Sequence, residues 1–392
     1  MKIKKYPLAL NTWDNKEISK IKLLLSKGRL TMGKYVKKYE KIFAKKNKNK
    51  YAIMTNSGSS SNLLMFSSLF YTKQKNFKLK QGDEIIVPSV SWSTSYTPIY
   101  QLNLKMKFVD IDLDTLNYDL KELKKKVTRK TRAILCVNVL GNSNNYSEIK
   151  KIIKNKNIFL IEDSCESMGS QFEKSKVGNF GIMSSFSSYF SHHISTIEGG
   201  VITTDNKELY HILLSLRAHG WTRDLPNKNL VIYKSKNKIK EMYNFVLPGY
   251  NLRPTEINGV AGIEQLKKFN YFLKKRRENG TLFVNLFKNH KIIKIQKEVG
   301  RSSWFAFSMI IKNNSLKNLK KLIKILDKLK VEYRPIISGN FADKYVSKKY
   351  FKTNNKNLKN AKYLDKFGIM IGNNPVDMKY ILNKLSEELS VL

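Results

Sequence analysis

With 392 residues, of which 41% are hydrophobic, the chain is long enough for one large domain and a smaller one. Its 73 lysine and arginine residues against 31 acidic residues give a net charge of +42. The excess is mostly lysine scattered with asparagine along helical stretches, which favours a solvated surface over a nucleic-acid-binding patch.

The sequence indicates neither a membrane span nor a signal peptide. The sequence has no run of 18 apolar residues and no signal-peptide cleavage pattern, so we expect a cytoplasmic protein with neither membrane nor nucleic-acid partners. Cys136 and Cys165 are too few for a disulfide framework and are expected to be buried free thiols.

Strand and helix patterns alternate over the first half of the chain. Helical spacing of apolar residues predicts helices over 17–27 and 34–48, a strand over 51–55, and a helix directly after it. The alternation then continues with EIIVP (84–88), a helix near 93–102, MKFVDI (106–111), a helix near 119–127, AILCVNVL (133–140), a helix near 146–155 and IFLIED (158–163). Such alternation predicts an α/β fold with a mostly parallel sheet flanked by helices.

The pattern changes near residue 255. Helices are predicted over about 255–288 and 315–330 and after residue 378, and two strands, IIKIQ (292–296) and WFAFSMII (304–311), lie between the first two. We therefore predict a large α/β domain with N-terminal helices over 1–250 and a smaller C-terminal α+β domain over 251–392.

Three residues that follow predicted strands suggest a ligand site, because ligands bind at the carboxyl ends of parallel strands. Gly58, in TNSGSSS, opens a helix whose N–H groups would bind a phosphate, although serine here is equally typical of a simple helix cap. Asp163 ends a strand apolar enough to be buried, without an evident cationic partner. Trp92 is placed to stack on a flat ligand, or equally to fill the core.

A phosphate cradle, a buried aspartate and a stacking aromatic ring are together what pyridoxal phosphate (PLP) requires. A PLP enzyme normally adds a lysine after a later strand, which binds the cofactor covalently. In this chain the corresponding turn is SSYFSHHISTIEGGVITTD (187–205), which contains no lysine and places His192 and His193 side by side.

From about residue 5 onward the sequence resembles the DegT group of nucleotide-sugar aminotransferases, which are PLP-dependent enzymes of fold type I. The matching stretches include LTMGKYVKKYE (30–40), TNSGSSSNLL (55–64), VPSVSWS (87–93), IEDSCESMGS (161–170), LRAHGWTRDLP (216–226) and PGYNLRPTEINGVAGIEQLKK (248–268). The last two stretches are the most specific. In the aminotransferases the catalytic lysine occupies the position that His192 has here.

The resemblance implies a role for each matching residue. Gly58, Ser59 and Ser187 would bind the cofactor phosphate. Trp92 would stack on the ring, with Asp163 at its nitrogen and Glu166 near its hydroxyl group. Asn251 would reach the phosphate in the neighbouring subunit, which implies a homodimer with shared active sites. Substrate contacts are assigned to His219, Arg223, Arg253 and Arg334, each of which could equally be structural.

With histidine at position 192, the sequence resembles the branch of the family that removes the 3-hydroxyl group of GDP-linked 4-keto-6-deoxy sugars. Histidine cannot form the covalent cofactor link, but it can move protons, so His192 is expected to be the general base. The implied cofactors are PLP and pyridoxamine phosphate, with L-glutamate as amino donor. The sugar would be a mannose-type hexose or a related heptose.

Other functions remain open from the sequence alone. An ordinary 4-aminotransferase is disfavoured by the missing lysine. A dehydratase dependent on an iron–sulfur cluster needs four ligands such as thiolates, which two cysteines cannot supply, and no metal site is expected. A non-catalytic basic binding protein would explain the charge, but not the retained cofactor residues.

Overall fold

The fold is described by a computed structural model that covers residues 5–26, 28–351, 353 and 357–390. Its strands, numbered in chain order, are β1 Tyr51–Thr55, β2 Glu84–Pro88, β3 Lys105–Val109, β4 Thr131–Val137, β5 Phe159–Asp163, β6 Gln171–Phe172, β7 Ser175–Lys176, β8 Ser184–Ser187, β9 Gly200–Thr204, β10 Ile293–Lys294, β11 Ala306–Ile311, β12 Tyr333–Pro335 and β13 Gly368–Gly372.

Most of the helices lie where the periodicity of apolar residues predicts them. They are α1 Asn15–Leu25, α2 Lys34–Asn47, α3 Gly58–Ser68, α4 Ser93–Gln101, α5 Leu120–Lys126, α6 Tyr146–Ile153, α7 Lys207–Leu216, α8 Lys238–Met242, α9 Glu256–Phe287, α10 Leu316–Lys328, α11 Lys359–Phe367 and α12 Lys379–Ser390. The sequence analysis did not predict α7, α8 or α11.

Seven strands form the central sheet, in the order β1-β9-β8-β5-β4-β2-β3. Strands β3, β2, β4, β5 and β8 pair in parallel, whereas β9 runs antiparallel to both β8 and β1. This confirms the predicted mostly parallel sheet. The carboxyl ends of the parallel strands therefore meet along one edge, where the ligand site is expected.

Alternate residues of the central strands pack against helices on opposite faces of the sheet, because successive side chains of a strand point in opposite directions. Ile85 and Val87 of β2 belong to a core that includes Leu64 of α3. Ile86, between them, belongs to a separate core that includes Ile149 of α6. Burial on both faces explains why these strands are apolar throughout.

A second sheet lies toward the C-terminus. Its four antiparallel strands have the order β10-β11-β13-β12. In the chain, α10 lies between β11 and β12, α11 lies between β12 and β13, and α12 follows β13. The sequence analysis predicted β10 and β11 but neither β12, which has three residues, nor β13, which has five. This sheet confirms the predicted α+β character of the C-terminal part.

The N-terminal segment crosses to the C-terminal part of the chain. Tyr6 pairs with Val331 in a parallel bridge, and the backbone N–H of Leu10 donates to Asn374 at 2.9 Å. Helices α1 and α2 pack against α9. The domain boundary between residues 250 and 251 stays a prediction. Within the described ranges, no helix is both long and apolar enough to cross a bilayer.

Candidate active site

A cavity of about 490 Å³ opens at the carboxyl ends of the parallel strands. The segments after β1, β2, β4, β5 and β8 line it, together with residues of the C-terminal sheet. Eight of the twelve site residues predicted from the sequence lie on its wall: Gly58, Ser59, Trp92, Asp163, Glu166, Ser187, His192 and Arg334. The fold thus brings together side chains that are up to 276 positions apart.

The start of α3 forms one wall of the cavity and offers free backbone donors. Ser57 caps the helix by accepting from the N–H of Ser60 at 3.0 Å. The N–H groups of Gly58 and Ser59 have no hydrogen-bond partner within the described ranges. Because a helix N-terminus carries partial positive charge, this wall suits an anionic group such as phosphate.

Gly58 allows the helix to approach the end of β8. A Cβ atom at this position would lie 2.7 Å from the Cβ of Ser187 and 3.1 Å from the Sγ of Cys165. Any side chain would therefore push α3 away from β8 and widen the part of the cavity between them, which we call the phosphate corner. The close approach explains why glycine occurs where a helix begins.

Asp163, at the end of β5, is buried with only 5% of its surface exposed. Its Oδ2 accepts from Asn62 Nδ2 at 2.9 Å and from Ser95 Oγ at 2.7 Å, and its Oδ1 accepts from the N–H of Cys165 at 3.2 Å. No ion pair to this carboxylate occurs in the described part of the chain. A buried anion that faces a cavity without a cation is a fitting partner for a protonated ring nitrogen.

Of the two adjacent histidines, His192 lines the cavity and His193 does not. The Nδ1 of His192 is buried and has no hydrogen-bond partner among the described residues. Burial, and to a lesser degree the charge of Arg276, lowers the pKa of His192 from 6.5 to about 4. His192 is therefore neutral at physiological pH and able to accept a proton.

His193 has a different environment. It is 2% exposed, and its ring lies close to the backbone of Ser303. Its ring lies 5.7 Å from that of Phe305, and burial holds its pKa well below 6.5. These contacts make His193 a packing residue behind the cavity wall.

Glu166 lies three residues after Asp163 and also faces the cavity. Its Oε2 accepts from the N–H of Leu140 at 2.9 Å. Burial, opposed by that bond and reinforced by the charge of Asp163, raises the pKa of Glu166 from 4.5 to about 7. This carboxyl group can therefore hold or release a proton near neutral pH.

Trp92 and Arg334 flank the cavity from different parts of the fold. Trp92 is the residue before α4 and is 60% exposed, so it is not the core tryptophan that the sequence left open. Arg334 comes from β12 and donates to the backbone carbonyl of Tyr333 at 2.9 Å. An aromatic face and a guanidinium group at a cavity wall suit a substrate with a flat ring and phosphate groups.

The other four predicted residues lie outside the cavity lining. Asn251 pairs with Ala218 in an isolated bridge, and the Nε of Arg253 donates to Asn251 at 2.9 Å. Arg223 lies 4.0 Å over the ring of Trp221. His219 has a left-handed backbone (φ 62°) and donates its N–H to the carbonyl of Tyr250. Within one chain the segments of His219, Asn251 and Arg253 therefore form a surface cluster outside the cavity, whereas Arg223 packs on Trp221.

Sequence reasoning missed several residues of the cavity wall. Asn62 and Ser95, which orient Asp163, lie within the quoted stretches TNSGSSSNLL and SVSWSTS, so their proximity to Gly58 and Trp92 was a usable signal. Phe305 and Met370 come from β11 and β13 or their ends and gave no signal. Their contribution depends on how the two sheets pack.

The residues present fit PLP. The cavity offers free N–H groups, a buried unpaired carboxylate and an aromatic face, whereas no lysine is found among its lining residues in the described ranges. Those ranges also contain no group of three or more histidine, cysteine or acidic side chains arranged to hold a metal ion.

Comparison with known proteins agrees with this geometry. A model of the DegT/DnrJ/EryC1/StrS aminotransferase family matches residues 11–375. The chain is 52% identical to GDP-4-keto-6-deoxy-D-mannose 3-dehydratase of Escherichia coli O55:H7, with 98% of this chain and 99% of the relative covered.

Two solved structures are similar over their full length. One is GDP-4-keto-6-deoxymannose-3-dehydratase with a trapped PLP-glutamate geminal diamine (TM-score 0.95, 51% identity, 98% of this chain and 100% of that chain). The other is a mutant of GDP-4-keto-6-deoxymannose-3-dehydratase with bound GDP-perosamine (TM-score 0.94, 51% identity, 98% and 100% covered).

Proposed function

The chain belongs to the DegT/DnrJ/EryC1/StrS aminotransferase family, and on this premise we propose that it is a PLP- and glutamate-dependent sugar 3-dehydratase. It removes the 3-hydroxyl group of a GDP-4-keto-6-deoxy sugar, of the mannose type or a related heptose, and gives the 4-keto-3,6-dideoxy sugar. Such a product serves the biosynthesis of surface polysaccharides.

One observation carries the proposal: the cavity contains the features that bind PLP, yet it presents His192 and no lysine within the described ranges. Transamination by the ordinary route uses a lysine amine to release the aminated product. A histidine offers proton transfer only, so the product is released by water and keeps no nitrogen.

Each cavity residue has a distinct part in holding the cofactor. The free N–H groups of Gly58 and Ser59, with the hydroxyl group of Ser187, bind the phosphate. Asp163 keeps the ring nitrogen protonated, and Trp92 covers a ring face. The bound cofactor would supply an electron sink through which two electrons of glutamate reach carbon 3 of the sugar, while the nitrogen leaves as ammonia.

The overall reaction balances without any further oxidant or reductant. Glutamate is oxidised by two electrons and yields 2-oxoglutarate and ammonia. Carbon 3 of the sugar is reduced by the same two electrons as its C–O bond is replaced by C–H. The water consumed in releasing ammonia equals the water formed from the 3-hydroxyl group, so neither appears in the net reaction.

His192 and Glu166 are the groups that move protons. His192 is neutral above pH of about 4, because its pKa is lowered, and it accepts a proton at a ring nitrogen. Glu166, whose pKa is raised to about 7, is present in both protonation states near neutrality and holds a proton close to the ring hydroxyl group. Together they supply a base and an acid in the same cavity.

The active site is completed by a second copy of the chain. Asn251 and Arg253 form part of a surface cluster outside the cavity, and the neighbouring segment exposes apolar side chains: Tyr233 (99% exposed), Ile239 (80%) and Tyr243 (69%). Apolar side chains this exposed are typical of a protein interface. In a homodimer, Asn251 of the partner subunit would reach the phosphate corner.

The decisive experiment incubates the purified protein with PLP, glutamate and GDP-4-keto-6-deoxymannose. We expect 2-oxoglutarate and ammonia in equal amounts, and a sugar lighter by one oxygen atom with no nitrogen, as measured by mass spectrometry. A sugar with an amino group at carbon 4 would show that the protein is an aminotransferase. No consumption of glutamate would exclude both activities.

A further inference from the structure

Arg276, on α9, is a buried cation without an acidic partner. It is 4% exposed, and no ion pair to it occurs within the described ranges. Burial lowers its pKa to about 10, which still leaves it charged at neutral pH. A buried charge without a counter-ion destabilises the fold, so its retention calls for a function.

The guanidinium group binds backbone carbonyls that lie beside the cavity. Its Nη1 donates to the carbonyl of Phe305 at 3.1 Å and also to that of Asn373. The Asn373 side chain in turn donates to the carbonyls of Arg276 and Trp304, at 2.9 and 2.7 Å. Arg276 thus fixes the start of β11 and the end of β13 to α9.

Phe305 connects this arrangement to the histidine turn. Its ring lines the cavity and lies 5.2 Å from the ring of His192 and 5.7 Å from that of His193. Since the Nδ1 of His192 has no hydrogen-bond partner within the described residues, no polar contact at this atom orients its ring. Packing against Phe305, the nearer of the two rings that His192 contacts, is therefore a main restraint on its orientation; the other ring, that of Tyr189, is 6.0 Å away.

We propose that Arg276 is a positioning residue for His192, and that it acts by fixing the backbone of Phe305, whose ring holds the imidazole in place. The inference rests on the proposed dehydratase function, in which His192 transfers a proton. It extends that function to a residue of the C-terminal part of the chain that does not line the cavity.

Arg276 also acts on His192 electrostatically. Burial is the larger cause of the lowered pKa of His192, and the positive charge of Arg276 lowers this pKa further. The other charged groups on the cavity wall are Asp163, Glu166, Glu198 and Arg334. Loss of the Arg276 charge would allow the imidazolium form at higher pH.

The test compares Arg276→Lys with Arg277→Lys. Lysine keeps the charge of Arg276 but cannot reproduce its fork of donors. Arg277 is a matched control, because it also binds backbone carbonyls, those of Ser302 and Gly169, but does not contact Phe305. We expect Arg276→Lys to lower kcat by about 10-fold with little change in KM, as a 1 Å misplacement costs up to about 10²-fold. Arg277→Lys should leave kcat within about 2-fold.

Phe305→Leu separates positioning from general stability. If Arg276 acts through Phe305, this variant lowers kcat and the double variant with Arg276→Lys loses little more, because the two changes remove one interaction. The proposal would be overturned if the two losses of kcat multiplied in the double variant, or if Arg276→Lys and Arg277→Lys lost kcat equally. Thermal unfolding of each variant identifies any that does not fold.

A second measurement does not depend on turnover. The imidazole proton resonances of the protein, assigned with His192→Asn, report the titration of His192. We expect its pKa to rise in Arg276→Gln, because a neighbouring positive charge is removed, and not in Arg277→Gln. An unchanged His192 titration in Arg276→Gln would contradict the proposed proximity. Absence of dehydration by the parent protein would instead reject the proposed function.

Discussion

His192 is the residue on which the proposed chemistry depends most directly. His192 lines the cavity, and no lysine lines it in the described part of the chain. The neighbouring His193 is buried behind it against Phe305. The two adjacent histidines thus have separate environments: His192 is open to the cavity, where we propose that it transfers protons, and His193 packs behind it.

The cofactor should be bound without a covalent link to the protein. Borohydride reduces the imine that PLP forms with a lysine, so the parent protein with PLP should show no added cofactor mass after borohydride treatment. His192→Lys restores a lysine at the site and should become labelled, which makes it the positive control. Reduced cofactor on any lysine of the parent cavity would contradict the proposal.

Asp163→Asn should impair catalysis more than folding. The amide oxygen can still accept hydrogen bonds from Asn62 and Ser95, but the charge that keeps the ring nitrogen protonated is lost. We expect kcat to fall by about 10²-fold while the melting temperature changes little.

Asp110→Asn is the matched control for Asp163→Asn. Asp110 is also 5% exposed and accepts from the backbone N–H groups of Ile111, Asn360 and Ala361, but it does not line the cavity. The variant Asp110→Asn should lower the stability of the fold rather than kcat. Parent-like turnover in Asp163→Asn would make Asp163 a structural carboxylate.

Glu166 should make stability depend on pH near neutrality. Its pKa is raised from 4.5 to about 7 in the folded protein, so the stability it contributes is fully present below pH about 4.5 and is lost as the pH rises through 7. Glu166→Gln should remove this loss. Urea unfolding from pH 5 to 8 measures the free energy of unfolding at each pH. The same pH dependence of this free energy in parent and variant would contradict the raised pKa of Glu166.

The junction between α3 and β8 is the element that shapes the phosphate corner. Gly58→Ala should lower the free energy of unfolding by about 1–3 kcal/mol and weaken PLP binding, because the new methyl group would meet the Cβ of Ser187 at 2.7 Å. Urea unfolding and PLP titration measure the two effects.

Ser187→Gly provides a compensating change for Gly58→Ala, since it removes the atom that the new methyl group meets. The double variant should recover part of the lost stability. Its PLP affinity should stay low, because the hydroxyl group of Ser187 is absent. If Ser187→Gly gave no recovery of stability, the contact between α3 and β8 would not be the cause of the loss.

The whole molecule should function as a homodimer with shared sites. Asn251→Ala and His192→Asn should each be inactive alone. In a mixed dimer, one site combines His192 of one chain with Asn251 of the other, so random exchange of subunits should restore about a quarter of parent activity. Sites contained within single chains would give no recovery. Sedimentation of the parent protein measures the dimer itself.

The sequence by itself determined the alternation of strands and helices and the residues that follow the strands. Apolar strands buried on both faces of a parallel sheet have a distinctive pattern, and the fold places their carboxyl ends along one edge. Gly58, Asp163 and Trp92 could therefore be assigned to one site before any coordinates were known. The histidine in place of lysine was also readable, because it stands within a recognisable turn.

Only the tertiary structure decided which side chains complete and support that site. Nothing local in the sequence indicates that Phe305 of the C-terminal part packs against His192, or that Arg276 holds Phe305 from α9. The spacing of the two histidines could not show which one faces the cavity, since adjacent residues in a turn have no fixed periodicity; only the resemblance to the family indicated His192. These contacts join residues 113 and 29 positions apart in the chain, and they depend on how the two sheets and α9 pack.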